Sequence, residues 1–306
     1  MIGMAGDRTI ATVAPLVPTI PPRRSNGVEI LTAAPSSWPG LTRFVLQLRW
    51  LTEPGWIEFA FDRPACLVVV EEIGGRCDLR PAPERFPDNA FVGLDHVSLV
   101  STGTPVTIHA DEIRRATLIC CLAGDSAERD DEEALTAIGA APTRLMARDR
   151  LLHDCAVLFG RPDVRDSAEP FAGAVAHAVL MAWAAATARK AWSSPANNLR
   201  GKRLRDVLAY IRDELDEPIS IAALAERAGL TTAGFSKQFE EVTGLTPQAW
   251  QMETRVRNAQ RLMIDDPKGS LDEFAALCGF ADQSHFSRVF LKVIGMSPTE
   301  WLRRQT

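Results

Sequence analysis

Between residues 44 and 122 the apolar positions come in short runs, at 44–51, 56–61, 67–71, 96–100, 106–109 and 116–122. Gly74-Gly75, the stretch 81–87 and Gly103 to Pro105 punctuate them, so the spacing predicts strands joined by tight turns. Closely spaced short strands point to an antiparallel sandwich or small barrel. After Gly124 the period lengthens and predicts helices over 127–138, 144–159 and 171–192. The last is Ala-rich, with Val175, Ala178, Val179, Ala182 and Ala186 at helical spacing. Such a stripe needs a partner surface. Packing within the monomer and pairing with its twin in a homodimer both satisfy it, and the sequence leaves both open. Residues 193–198 read as a linker. The chain divides accordingly into a loose Pro-containing tail (1–26), a first domain (27–192), a linker (193–202) and a second, all-α domain (203–306).

The second domain contains an internal repeat. Ile221, Leu224, Ala225 and Gly229 recur as Leu271, Phe274, Ala275 and Gly279 at an offset of 50. Phe235, Phe239, Gly244, Pro247 and Trp250 recur as Phe286, Phe290, Gly295, Pro298 and Trp301 at an offset of 51. One inserted residue in the turn accounts for the change. Each copy has the parts of a helix-turn-helix: Ala where two helices approach closely, Gly where the first helix must stop, and then a second helix. Ser270 with Glu273 forms a capping box, Thr231 and Asp282 cap the second helices, and Pro247 and Pro298 open the helices that follow.

In the second helix of the first copy Phe235, Phe239 and Val242 share a face, which leaves Thr232, Ala233, Ser236, Lys237 and Glu240 outward. In the second copy Phe286, Phe290 and Val293 are read as inward, which leaves Gln283, Ser284, Ser287 and Arg288 outward. Gln and Arg make paired hydrogen bonds to adenine and guanine edges, and Ser permits close approach, so these outward faces are candidate readers of double-stranded DNA. Between the copies a helix runs from Thr246 to Asp265, with Ala249, Met252, Val256, Ala259 and Met263 as its apolar stripe. Roughly twenty residues at ~1.5 Å each span about 30 Å, close to the ~34 Å of one B-DNA turn. Such a helix can hold two readers near successive major grooves.

Composition and charge restrain this picture. With 306 residues, 46% of them hydrophobic and 24% charged, the chain can form two globular domains without disulfides or metals. The six cysteines lack a CxxC pair or zinc-finger spacing, which fits buried apolar roles in a reducing compartment. The N-terminal stretch lacks a basic region followed by a long apolar run, and no segment reads as an uncharged membrane span; a cytoplasmic protein without membrane contact is expected. The net charge is -5, but from Arg200 onward 15 Lys and Arg face 15 Asp and Glu, so the acidic excess lies in the first domain. A neutral second domain binds DNA through basic groups gathered on one face, with help from dimerisation or a second contact. His96 and His109 lack the HxH pair and following Glu of a metal site, so no metal, cofactor or catalytic residue is assigned. Trp50, Trp56 and Phe61 read as core residues rather than as walls of a ligand pocket.

Residues 203–306 resemble the AraC/XylS-type transcription regulators. The resemblance is concentrated in Gly279-Phe280, Ser284-His285-Phe286-Ser287-Arg288, Phe290, Gly295 and Ser297-Pro298, with Arg255, Ala259 and Leu262 agreeing in the connecting helix. It implies promoter binding, activation through RNA polymerase, and base reading by Thr232, Ala233, Ser236, Lys237, Gln283, Ser284, Ser287 and Arg288. The first reading helix departs from a rich polar face, carrying Ala233, Gly234, Glu240 and Glu241. The first domain is similar to the cupin-like sensor barrels that precede such modules, on the strength of residues 97–106, which implies an unidentified small-molecule effector and a homodimer. The expected fold is therefore α+β: an N-terminal antiparallel cupin-like β-barrel with flanking helices, then an all-α double helix-turn-helix. An enzyme of the cupin class with a DNA-binding appendage is the alternative from a different class. Protein binding by the charge-neutral helical half is the third.

Overall fold

Strand β4 (Gly55–Ala60) alternates buried and half-buried residues, whereas β7 (His96–Val100) is buried at every position and β9 (Arg115–Ala123) at nearly every one. Alternation means one covered face and continuous burial means two, and the layers follow from that difference. The structure, a computed structural model, describes residues 22–52, 55–81, 96–111, 113–124, 129–161, 164, 169–188, 199 and 202–305. A four-stranded sheet runs β1 (Arg24–Asn26), β4, β8 (Pro105–Asp111), β6 (Arg76–Pro81). A six-stranded sheet runs β10 (Arg144–Arg148), β7, β5 (Ala65–Ile73), β9, β3 (Leu41–Trp50), β2 (Val28–Trp38), and every pairing is antiparallel.

Leu46, Leu48, Phe59, Leu67, Ile108 and Leu118 fill the space between the two sheets. Cys66, Val68, Val97, Leu99, Ile119 and Cys121 belong to a second core, shared with α1 (Arg129–Gly139), α2 (Arg150–Gly160) and α3 (Glu169–Ala188). The first half is thus a sandwich with a helical layer on one side, and the expected cupin-like barrel is not formed. Among the described residues β1 and β6 remain edges of one sheet and β10 and β2 edges of the other. The physical reason is the second apolar face of the larger sheet: covered by helices, it has no need to curl shut to hide that face. Burial pushes the Cys121 thiol up to about 12, so it is a protonated packing residue.

The six runs predicted as strands coincide with β3, β4, β5, β7, β8 and β9 within a few residues. The helix predicted over 144–159 is instead β10 followed by α2, with Asp149 capping α2 at the break through a bond from the Leu152 N–H. A bulge between Arg144 and Ala147, with Met146 at φ 53°, disturbs the strand's alternation and so concealed it. Most of the stripe on α3 finds its partner inside the chain: Val175, Val179, Ala182 and Ala186 are buried in the second core, whereas Ala178 is exposed. Residues 171–188 of α3 are long and apolar enough to cross a membrane by length and composition, contrary to the expectation that no segment would be. The linker read at 193–198 lies outside the described residues.

The second half is all helix: α4 (Lys202–Asp213), α5 (Ile221–Ala228), α6 (Thr232–Thr243), α7 (Pro247–Asp265), α8 (Leu271–Leu277), α9 (Gln283–Ile294) and α10 (Pro298–Gln305). One core gathers Leu204, Val207, Leu224, Phe235, Phe239 and Trp250, and the other Val256, Ala259, Met263, Phe274, Phe286, Phe290 and Trp301. Helix α7 supplies residues to both, so the two units share one axle. It also meets the first half. Ile73, at the end of β5, is buried in the core of the second unit, and Arg114 grips Asp265 through two bonds of 3.0 Å.

Candidate nucleic-acid interface

Each reading helix is fixed from its N-terminus and from beneath. Thr231 caps α6 by accepting from the Gly234 N–H at 3.2 Å, and Asp282 caps α9 by accepting from the His285 N–H at 2.7 Å. The capping box at Ser270 and Glu273 is present in both directions on α8. Beneath α6 the rings of Phe235, Phe239 and Trp250 form a chain with centroids 5.5 and 6.0 Å apart. Beneath α9 Phe286, Phe290 and Trp301 repeat it at 5.5 and 5.8 Å. Edge and tilted aromatic contacts of this kind fix ring orientation as well as burying area. The repeat read in the sequence is therefore a repeat of packing.

On α6 Thr232, Ala233 and Lys237 are exposed and Ser236 is half-buried; on α9 Gln283, Ser284 and Arg288 are exposed and Ser287 is half-buried. All eight lie off the aromatic faces, four on each helix. Their electrostatics differ. Lys237 lies 3.9 Å from Glu241 on its own helix, which offsets its charge toward an anion. Among the described residues Arg288 has no ion pair, so its five donors stay available. His285 meets the edge of Phe280 at 5.5 Å and is half-buried, an orienting contact. Two readings fail in detail: Val293 is exposed rather than inward, and Ala249 is exposed rather than part of the buried stripe of α7.

What sequence reasoning missed is how the units are joined. Arg255, buried on α7, donates from Nε to Leu215 O at 2.5 Å, from Nη1 to Gly279 O at 2.5 Å and from Nη2 to Glu217 O at 3.1 Å. Gln251, one turn earlier, donates to Glu217 O at 2.6 Å. These bonds tie α7 to the connector between α4 and α5 and to the turn of the second unit. Helix α7 has 19 residues, about 28 Å at ~1.5 Å per residue, so both readers are carried on one short, multiply anchored rod. The signal available in the sequence was four long polar side chains, Gln251, Glu253, Arg255 and Arg257, crowded on a helix whose apolar stripe already faced two cores. Among the described residues no three His, Cys, Asp or Glu side chains come together as a metal-binding group.

Residues 224–304 match the family model described as a helix-turn-helix domain. The HTH-type transcriptional activator RhaS of Escherichia fergusonii is 37% identical over 100 residues, 32% of this chain and 35% of that protein. The HTH-type transcriptional activator RhaR of Klebsiella pneumoniae is 32% identical over 116 residues, 38% of this chain and 41% of that protein. Among solved structures, the DNA-binding domain of the global transcriptional factor AdpA, in complex with a target DNA, shows 30% identity. That match covers 33% of this chain and 91% of the other, with a TM-score of 0.31. The matched segments thus span 35% and 41% of the two curated relatives. Residues 224–304 accordingly form a helix-turn-helix domain, in a chain whose likeness to these activators is confined to about a third of its length.

Proposed function

We propose that the chain is a sequence-specific DNA-binding transcription regulator of the AraC/XylS type, and that it is an effector-responsive activator. The observation that carries this reading is the doubled, similarly packed unit, each copy offering a capped helix with its polar face clear of the core. The relatives matched over the same segment are named as transcriptional activators. In this reading Thr232, Ala233, Ser236 and Lys237 face one major groove of promoter DNA, and Gln283, Ser284, Ser287 and Arg288 the next. Residues 27–192 act as sensor, 193–202 as linker and 203–306 as reader. A homodimer, contact with RNA polymerase and a cytoplasmic location complete the proposal. The two readers contribute unequally: α9 supplies the specific hydrogen bonding, while α6, with Ala233 and the Lys237–Glu241 pair, chiefly positions the protein.

The test is Arg288→Ala on the full chain, with a duplex obtained by in vitro selection and a random duplex at one fixed salt concentration. Losing a bidentate contact to guanine should cost about 1–3 kcal/mol on the selected site, roughly fivefold to 150-fold in Kd, and little on random DNA. Equal losses on both duplexes would assign Arg288 to the phosphates and sink its base-reading role.

A further inference from the structure

The outward face of α9 carries a residue outside the four base-reading candidates on that helix. At about 100° per residue, Leu291 falls ~40° from Ser287 on one side and ~60° from Arg288 on the other, and ~100° or more from the buried Phe286 and Phe290. Its side chain is 51% exposed. Ser284, Ser287, Arg288 and Leu291 therefore form one continuous strip, three members polar and the fourth a branched hydrocarbon.

A single exposed leucine ordinarily signifies nothing, because much of any protein surface is apolar. Here the internal repeat supplies a comparison. The offset of 51 that pairs Phe235 with Phe286 and Phe239 with Phe290 also pairs Glu240 with Leu291, and Glu240 is exposed on α6. Two units with similar aromatic packing thus carry a carboxylate and a hydrocarbon at one position, so that packing does not call for an apolar side chain there. What remains is the company Leu291 keeps on the strip beside Ser287 and Arg288. In the major groove thymine is the base that offers a hydrocarbon, its C5 methyl group, and apolar side chains contact it. Leu291 lies three residues past Arg288, ~4.5 Å along the helix axis against ~3.4 Å per base-pair step. A base it touches therefore lies within about two base pairs of the base that Arg288 contacts.

We propose that Leu291 is a specificity-determining residue that packs on the C5 methyl group of a thymine in the major groove occupied by α9. Burying one methyl group against the leucine is worth about fourfold in Kd. The contact selects thymine over cytosine, which lacks the methyl, and so adds an apolar readout to the hydrogen bonds of Gln283 and Arg288. Glu240, at the matching place on α6, cannot supply it. The proposal rests on the base-reading role of α9 above, and it adds a further residue and the chemical group that residue recognises.

The experiment uses the full chain and the duplex obtained by in vitro selection, at one fixed salt concentration. Each thymine is replaced in turn by deoxyuridine, which removes the C5 methyl group and leaves the pairing edge intact. Fluorescence anisotropy then gives Kd for the wild type and for Leu291→Ala. The expected result is one thymine, within about two base pairs of the position where Arg288→Ala relaxes selectivity, whose methyl matters to the wild type and not to Leu291→Ala. Its loss should weaken the wild type about fourfold. Leu291→Ala should bind the thymine duplex about fourfold more weakly than the wild type does, and the uracil duplex equally well. Alanine at an exposed helical position favours the helix, and the wild-type uracil series requires no variant. Indifference of the wild type to every methyl, a methyl effect that persists in Leu291→Ala, or equal losses by Leu291→Ala on thymine and uracil duplexes would overturn the proposal. Selection that enriches no duplex would refute the regulator reading itself, and the thymine contact with it. An enriched duplex indifferent to its methyl groups would refute the thymine contact alone.

Discussion

Arg255→Ala is expected to lower the stability of the helical half by about 3–5 kcal/mol, the sum of two or more charge-assisted hydrogen bonds lost at a buried site. The guanidinium serves three carbonyls, on Leu215, Glu217 and Gly279, that belong to no common element. Among the described residues only Glu217 O retains another donor, the Gln251 amide. Removing the side chain therefore strands two part-buried acceptors and leaves α7 tied to the α4–α5 connector by Gln251, with the backbone of α7 and its apolar contacts making the rest of the joint. Arg255→Lys should fall between, since an ammonium cannot reach three divergent carbonyls with a planar fork. Urea unfolding of the full chain, followed by tryptophan fluorescence, measures both variants. A loss below about 1 kcal/mol in the alanine variant would show that α7 is held by its apolar stripe and that Arg255 is dispensable to the joint.

That joint marks the limit of what the sequence disclosed. The repeat was legible because its determinants are local: capping residues, a glycine and an aromatic face all lie within one unit at fixed spacing. The strands at 44–51, 56–61 and 116–122 were legible for the same reason, since each is an apolar run bounded by turn residues. β2 was not, because it is an edge strand bearing Pro35, Ser36 and Ser37 and so lacks a core strand's run. The architecture was misread at the point where two covers compete. Continuous burial of β7 and β9 is compatible with a closed barrel or with a sheet capped by helices, and only the placement of α1, α2 and α3 selects the second. The ion pair of Arg76 on β6 with Glu253 on α7, at 2.9 Å, was invisible for a related reason: 177 positions separate the two residues, and each alone has the ordinary signature of a solvated charge. For the candidate readers, the sequence named two outward helix faces, and the structure adds the difference between Lys237, paired with Glu241, and Arg288, which has no ion pair among the described residues.

Gly229 and Gly279 occupy equivalent places in the repeat, yet substituting alanine at each is expected to have unequal effects. Both have left-handed backbones, with φ of 66° and 72°, so a side chain at either costs about 1–2 kcal/mol of conformational strain. At Gly229 an added Cβ meets nothing within 4 Å. At Gly279 it would sit 2.7 Å from both the Asp216 Cα and the Leu215 carbonyl oxygen, which are backbone atoms with little room to yield. Gly279→Ala should therefore cost about 2–5 kcal/mol, strain plus the ~1–3 kcal/mol of overpacking a tight site. Unfolding of the two single variants under the same conditions gives the comparison directly. Equal costs would mean that the second turn is not pressed against the α4–α5 connector. A larger cost at Gly279 would show that this glycine does more than end a helix: it lets the two units touch where Arg255 binds them, which sets the spacing of the readers.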